Sequence, residues 1–423
     1  MMNAKKAAAA ALALAMAASM SLPVFAEETT EAESEPESQA EMSIEPCEIE
    51  FWHAMSSTQE EELTALTDEF NETNEYGITV KLVNQGNYSD LSTKLTASAA
   101  SDTLPDLAQT YNNWMTDYID KVVPLDDFIE AYMPDYDDII ESYRDEVSEF
   151  GFVSGMPFNK STYVYFYNKT MFDELGIEAP KTWEDMATVG AAVLEGKGIP
   201  AFGVDDLAGF LEASLLQDGA EYIDETGALF DNDKGLETLT YIMDLYNNGY
   251  ARLIGEDGYF STVLSNQLVG GYIGSVTGVS YITADGWELG VAPLPSNETS
   301  AANQAGTNIA MFSTDENKQL AGFAYMMYLT STEATTEWAE VTGYLPVRVS
   351  AYESDEYQEF MANDPTATAA YAQTDYFFAS KNFDGSYAVR SDVNSTLEDL
   401  ILDGADGQTA LDTLVEAINS DLE

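Results

Sequence analysis

The sequence predicts an α/β protein built as two closely joined lobes. Three observations carry this. From residue 49 onward, short apolar runs alternate with amphipathic runs in the order strand, helix, strand, helix, strand. That order is the signature of a parallel sheet with crossover helices. The chain has 423 residues, long enough for more than one core. No Ser/Gly-rich linker divides it, so the lobes are joined intimately and are not beads on a string.

The elements follow in order. Residues 49–52 (Ile-Glu-Phe-Trp) alternate as a first strand. Residues 58–75 place Leu63, Leu66 and Phe70 at helical spacing with acids opposite. Residues 78–83 alternate as a second strand. Residues 88–100 read as a helix with Leu91 and Leu95 one turn apart, and a third strand begins at 105–108. Residues 163–168 (Tyr-Val-Tyr-Phe-Tyr-Asn) are β-branched and aromatic, which suits a buried strand. Thr182 caps a helix with Asp185 at the capping-box position, where Glu or Gln is usual. Residues 208–217, 234–248, 316–330, 332–340 and 408–419 read as helices, and 269–275 and 289–293 as short strands. Asp231-Asn232-Asp233 lacks the glycine and distal Glu of a calcium loop, so it reads as a turn and helix cap. No repeat of fixed period is present.

Charge removes several functions. The chain carries 75 Asp+Glu against 16 Lys+Arg, a formal net charge of −59. Nucleic acid needs a basic footprint, and an anionic membrane surface needs the same. One Cys excludes an internal disulfide and a multi-cysteine zinc site. One His leaves a Ser-His mechanism the single candidate base His53.

The first 26 residues read as an export signal. Lys5 and Lys6 precede an apolar run over 7–22, and Val24-Phe25-Ala26 offers small residues for cleavage. Residues 27–47 are rich in Glu, Ser and Pro and read as an acidic disordered tether. Cys47 follows Ile44-Glu45-Pro46, far from the apolar run, so it reads as a free thiol and not as a lipid anchor. The expected location is outside the cytoplasmic membrane.

Catalytic motifs are sparse. The only His is followed by Ser56 and Ser57, but the Gly-x-Ser-x-Gly elbow is absent. A His placed at a strand end or against a ligand is the stronger reading of His53. The glycines at 270–274 have neither Rossmann nor Walker spacing. Paired acids for glycoside cleavage stay open, because among 75 acids the proximity of two carries almost no information. Aromatics are more informative. Trp52, Tyr88, Tyr111, Trp114, Trp287 and Tyr344 sit beside turn residues at expected strand ends. A flat ring with polar neighbours suits a sugar, whose C–H face stacks while its hydroxyls bond Asn, Ser or Asp. For any one ring, core packing is the commoner role.

Six segments then occur in a telling order: 49–55 (Ile-Glu-Phe-Trp-His-Ala-Met), 86–88 (Gly-Asn-Tyr), 104–107 (Leu-Pro-Asp-Leu), 157–169 (Pro-Phe-Asn-Lys-Ser-Thr-Tyr-Val-Tyr-Phe-Tyr-Asn-Lys), 181–185 (Lys-Thr-Trp-Glu-Asp) and 342–347 (Thr-Gly-Tyr-Leu-Pro-Val). Together they resemble the extracellular solute-binding proteins (family 1) of carbohydrate-importing ABC transporters, with the closest resemblance to the glycerol-3-phosphate-binding branch. The resemblance covers residues 48–419. It implies a periplasmic-binding-protein-like fold whose hinge-crossing strands lie near 158–161, 293–301 and 344–346. Lobe one would then be 48–158 and 298–344, and lobe two 159–297 and 345–423. It also implies that a small-molecule carbohydrate is captured in the cleft and delivered to an ABC permease. No cofactor, catalytic residue or metal is expected, nor a nucleic-acid partner, and a monomer is expected.

Position by position, the resemblance implies ligand contacts at Tyr88, Ser161, Ser275, Gly306 and Tyr344. Trp52, His53 and Trp114 join them from strand-end placement. Two departures bear on the ligand. The branch has an acid after the third-strand Tyr, where this chain has Asn112. It has a phosphate-pairing Arg near the chain end. Counting back from Leu397 puts Asn382 there, and a slip of one residue would put Lys381 there. A buried phosphate without a cation is costly. A neutral sugar or oligosaccharide is therefore expected over glycerol 3-phosphate or another phosphorylated solute, with a secreted glycoside-active enzyme as the remaining alternative.

Overall fold

The structure, a computed structural model, describes residues 42–422. The expected export signal and residues 27–41 of the tether lie outside them. Residues 42–47 are not a loose tether. Met42, Ile44 and Cys47 pack on an apolar core, and Glu45 exchanges backbone hydrogen bonds with the Asn317 side chain at 2.7 and 2.9 Å. The acidic composition of 27–47 hid this apolar end. Among the described residues, no helix is long and apolar enough to cross a membrane.

Strand β1 (Glu48–His53) buries Ile49, Phe51 and His53 and turns Glu48, Glu50 and Trp52 outward, as its alternation predicts. It pairs in parallel with β2 (Thr79–Asn84) and with β3 (Leu107–Thr110). The crossovers are helices Ser57–Thr73, which buries Leu63, Leu66 and Phe70, and Tyr88–Ala100, which buries Leu91 and Leu95. The expected Thr182–Asp185 capping box forms, and Asn232 caps helix Asp233–Asn247.

Beyond β3 the sheet turns antiparallel. Strand β4 (Met156–Asn168) is 13 residues long and serves both lobes. Its first half pairs with β7 (Ala302–Met311). Its second half pairs with β5 (Gly271–Ser275) and β6 (Leu289–Ala292). The order is β6-β4-β7-β3-β1-β2, with β5 also along β4 and the short β8 (Phe377–Phe378) along β7.

Two main cores sit on either side. One holds Phe51, Leu66, Leu107, Phe158, Met311 and Trp338. The other holds Tyr165, Phe202, Leu211, Ile242, Ala302, Leu397 and Leu414. The chain passes between them along β4, along β7 and at 344–347. These three passages converge on one residue. Lys160 pairs with Gly306 of β7, and its carbonyl accepts from the Leu345 N–H at 2.7 Å. Gly306 has φ +104°, and a Cβ there would lie 2.0 Å from the Asn159 carbonyl oxygen. Only glycine allows β7 this approach to β4. Helices Val349–Glu353, Asp355–Asn363 and Pro365–Tyr371 build a smaller core of Tyr352, Tyr357 and Met361.

Candidate functional site

A cavity of about 260 Å³ opens between the two cores. Tyr111, Asn112 and Asn113, just past the end of β3, supply one wall, with Glu146 from helix Glu141–Val147. The crossing strands supply Tyr163, Gln304 and Gly306. The opposite wall comes from Asp206, Glu212, Tyr222, Ser380, Asn382 and Arg390. Placement at the carboxyl end of β3 is where open α/β sheets hold ligands.

The Arg390 charge in the cavity is paired. The Arg390 guanidinium lies 2.6 Å from Asp206 Oδ2 and 3.2 Å from Glu212 Oε2. The Tyr163 hydroxyl donates to the same Asp206 oxygen at 2.7 Å. Asp206 also caps helix Leu207–Gln217 by accepting from the Gly209 N–H at 3.1 Å. Ser380 Oγ donates to Glu212 at 2.5 Å. Burial pushes the Asp206 carboxyl up, but Arg390, the Tyr163 hydroxyl and the Gly209 amide outweigh it and leave it below its usual range. Burial prevails at Glu212 and raises it despite Arg390. Burial opposes the Arg390 charge, and the two carboxylates override it.

The second pair is deeper. Lys160 Nζ sits 2.9 Å from each oxygen of Glu146, with its side chain fully buried and that of Glu146 only 10% exposed. Gln304 Nε2 and Asn308 Nδ2 also donate to Glu146, the latter at 3.1 Å. Asn308 Nδ2 reaches Asn112 Oδ1 at 2.9 Å, and Asn112 Nδ2 donates to the Glu146 carbonyl at 2.6 Å. Burial pulls the Lys160 ammonium down, and Glu146 opposes this.

Of the residues expected from sequence, Asn112, Gly306 and Asn382 line the cavity. Tyr88 and Tyr344 meet hydroxyl to hydroxyl at 3.2 Å, and Asn159 Nδ2 donates to Tyr88 at 2.9 Å. Trp114 packs edge-on against the lining residue Tyr111, with ring centroids 4.8 Å apart. Ser161 is buried on β4 opposite the lining residue Ala305. Ser275 ends β5 opposite Tyr163, and its hydroxyl lies 3.0 Å from that of Thr277. None of these five lines the cavity, nor do Trp52 and His53. Trp52 turns its indole N–H to Glu50. His53 is buried, and its Nδ1 accepts from the Met55 N–H at 3.3 Å. Trp287 is buried in a separate core with Phe166, Phe260 and Tyr272.

Sequence reasoning missed Arg390, Asp206, Glu212 and Glu146. Near the chain end the cavity has two cations, Arg390 on helix Ser386–Leu402 and exposed Lys381 at the rim. Asn382 instead spans the lobes, donating through its backbone N–H and Nδ2 to the Glu149 carboxylate at 2.7 and 2.8 Å. The scarcity of cations was the one available signal for Arg390. For the acids there was none.

The family model described as bacterial extracellular solute-binding protein matches residues 65–371. The chain belongs to this family. Similar solute-binding proteins include the sn-glycerol-3-phosphate-binding periplasmic protein UgpB of Yersinia pestis bv. Antiqua (strain Antiqua), 24% identical over 355 residues, covering 77% of this chain and 80% of the relative. Among solved structures, the cyclic alpha-maltosyl-1,6-maltose binding protein from Arthrobacter globiformis superposes with a TM-score of 0.79 at 24% identity, covering 89% of this chain and 99% of the other. UgpB from Mycobacterium tuberculosis in complex with glycerophosphocholine does so with 0.77 at 20% identity, covering 89% and 98%. The two-lobed fold of this solute-binding protein is therefore shared with a cyclic alpha-maltosyl-1,6-maltose binding protein and with a protein in complex with glycerophosphocholine.

Proposed function

We propose that this chain is the exported binding component of an ABC importer, capturing a neutral sugar or short oligosaccharide between its lobes and delivering it to a membrane permease. The observation that carries the ligand class is the double neutralisation of Arg390 by Asp206 and Glu212. A phosphate entering the cavity would face two carboxylates already holding the partly exposed cation, whereas sugar hydroxyls bond carboxylates and guanidinium alike. Several lining residues also keep side-chain oxygens without a partner, namely Asn113 Oδ1, Gln304 Oε1, Tyr222 Oη and Ser386 Oγ. Hydroxyl groups can serve all four.

The lobes in this reading are 48–158 with 298–344, and 159–297 with 345–423, although residues 299–302 pack with the second core, where Ala302 lies and Thr299 and Ala301 bond Gln217. Ligand contacts fall to Asn112, Gly306 and Asn382 at the cavity, while Tyr88, Tyr344, Ser161 and Ser275 do not line it and Trp114 packs on the lining residue Tyr111. The protein works as a monomer without cofactor and leaves its ligand unchanged. Glycoside cleavage needs one protonated acid and one free carboxylate, while each cavity carboxylate named here holds a cation. A phosphorylated solute is the second reading, favoured by Lys381 on the cavity rim and by the names of the relatives. A melting-temperature screen over mono- and oligosaccharides and glycerol 3-phosphate decides between them. Saturation at a hundred times Kd stabilises a native-state binder by about 2.7 kcal/mol. A neutral sugar should raise the melting temperature and be recovered intact. A shift with glycerol 3-phosphate alone, or release of cleavage products, would refute the proposal.

A further inference from the structure

We infer that Asp206 and Glu212 set the charge selectivity of the cavity by masking Arg390, so that a cation able to receive phosphate serves uncharged hydroxyls instead. The inference rests on the reading of the cavity as the ligand site.

The geometry is that of a mask. Asp206 takes one guanidinium nitrogen and Glu212 the other, at 2.6 and 3.2 Å. Two carboxylates on one guanidinium leave the cluster with net negative charge. Both are themselves held in place. Asp206 is fixed by the Tyr163 hydroxyl and the Gly209 amide, and Glu212 by Ser380. The Glu212 side chain is 5% exposed, and those of Asp206 and Arg390 are 25% and 28% exposed. The guanidinium is thus partly open to the cavity while its charge is spent inside the protein. In a site of low effective dielectric, like charges at this range reject a dianion strongly. Removing the two negative charges while keeping side-chain size should turn the same site toward anions.

The test compares the full chain with Asp206→Asn/Glu212→Gln. The Asn oxygen can still accept from Gly209, so the helix cap is retained. Calorimetric titrations use glycerol 3-phosphate and the neutral sugar giving the largest thermal shift, with circular dichroism as the folding control. The expected result is at least a tenfold gain in glycerol 3-phosphate affinity over the unsubstituted protein, abolished when Arg390→Gln is added. If the double variant fails to fold, Glu212→Gln alone carries the test, because it leaves the Asp206 cap and ion pair in place. A smaller gain in the same direction then supports the inference. Sugar binding by the unsubstituted protein with no phosphate gain in a folded variant overturns the inference and leaves the functional reading standing. A phosphate gain in the variant without any sugar binding by the unsubstituted protein supports the mask and overturns the functional reading. Tight glycerol 3-phosphate binding by the unsubstituted protein overturns both.

Discussion

Lys160 and Glu146 offer the sharpest test of how the lobes are joined. Lys160 lies where β4, β7 and the 344–347 passage meet, fully buried, with both Glu146 oxygens at 2.9 Å and the Tyr143 ring 5.6 Å away. Removing one partner of a buried ion pair typically costs about 3–5 kcal/mol, because the other charge is left uncompensated. Lys160→Met leaves Glu146 with two amide donors and a small opening to the cavity, which places it near the lower limit, about 3 kcal/mol. Glu146→Gln leaves an ammonium with no exposure, although burial already favours loss of its proton, so it falls in the same range. The double variant buries no unpaired charge and should cost clearly less than the sum, giving a coupling of about 2–3 kcal/mol. Urea unfolding of the four proteins measures this. A cost below about 1 kcal/mol for Lys160→Met, or strictly additive costs, would refute the claim that this pair fastens the crossing.

Three further outcomes are expected. Gly306→Ala forces a Cβ into the Asn159 carbonyl at a backbone angle disfavoured for alanine, so it should lower stability by about 2–4 kcal/mol in urea unfolding; an unchanged midpoint would contradict the close approach. Asn382→Ala removes the Nδ2 bond to Glu149 across the lobes and keeps the backbone one, and should weaken ligand affinity up to about tenfold, as read by titration calorimetry. His53, the single histidine, is held below its usual 6.5 by burial, with Glu60 opposing. Its folded pKa is lowered, so the unfolded state takes up the proton first. Its contribution to stability is intact above pH 6.5 and declines as pH falls through the folded value. Proton NMR of the one imidazole should give a pKa below 6.5, and a value at or above 6.5 would contradict the burial.

What could be read from sequence was what local periodicity encodes. Ile49 and Phe51 mark β1, and Leu63, Leu66 and Phe70 mark the buried face of the next helix, because each pattern repeats within one element. Strand β7 was not legible. Its buried Asn303, Gln304, Thr307 and Asn308 look like loop residues, and they are satisfied only by partners elsewhere in the fold, such as Glu146 and Asn159. The short helices between 349 and 371 carry too few turns to show a stripe. At the site, Gly306 and Asn112 were found through resemblance, not through their own chemistry. The Arg390–Asp206 pair joins residues 184 apart in sequence. In a chain with 75 acids, nothing local marks which ones will meet the arginine. The family register counted back from Leu397 pointed to Asn382 and Lys381, which do line the cavity, but it passed over Arg390 beside them.

The central claim is that the cavity between the lobes takes an uncharged sugar and refuses a phosphate. Side-by-side calorimetric titration of the protein with the best sugar from the thermal screen and with glycerol 3-phosphate tests it most directly. The account predicts saturable one-to-one binding of the neutral sugar and at least a hundredfold weaker binding of glycerol 3-phosphate. Tight glycerol 3-phosphate binding with no heat from any neutral sugar would contradict it.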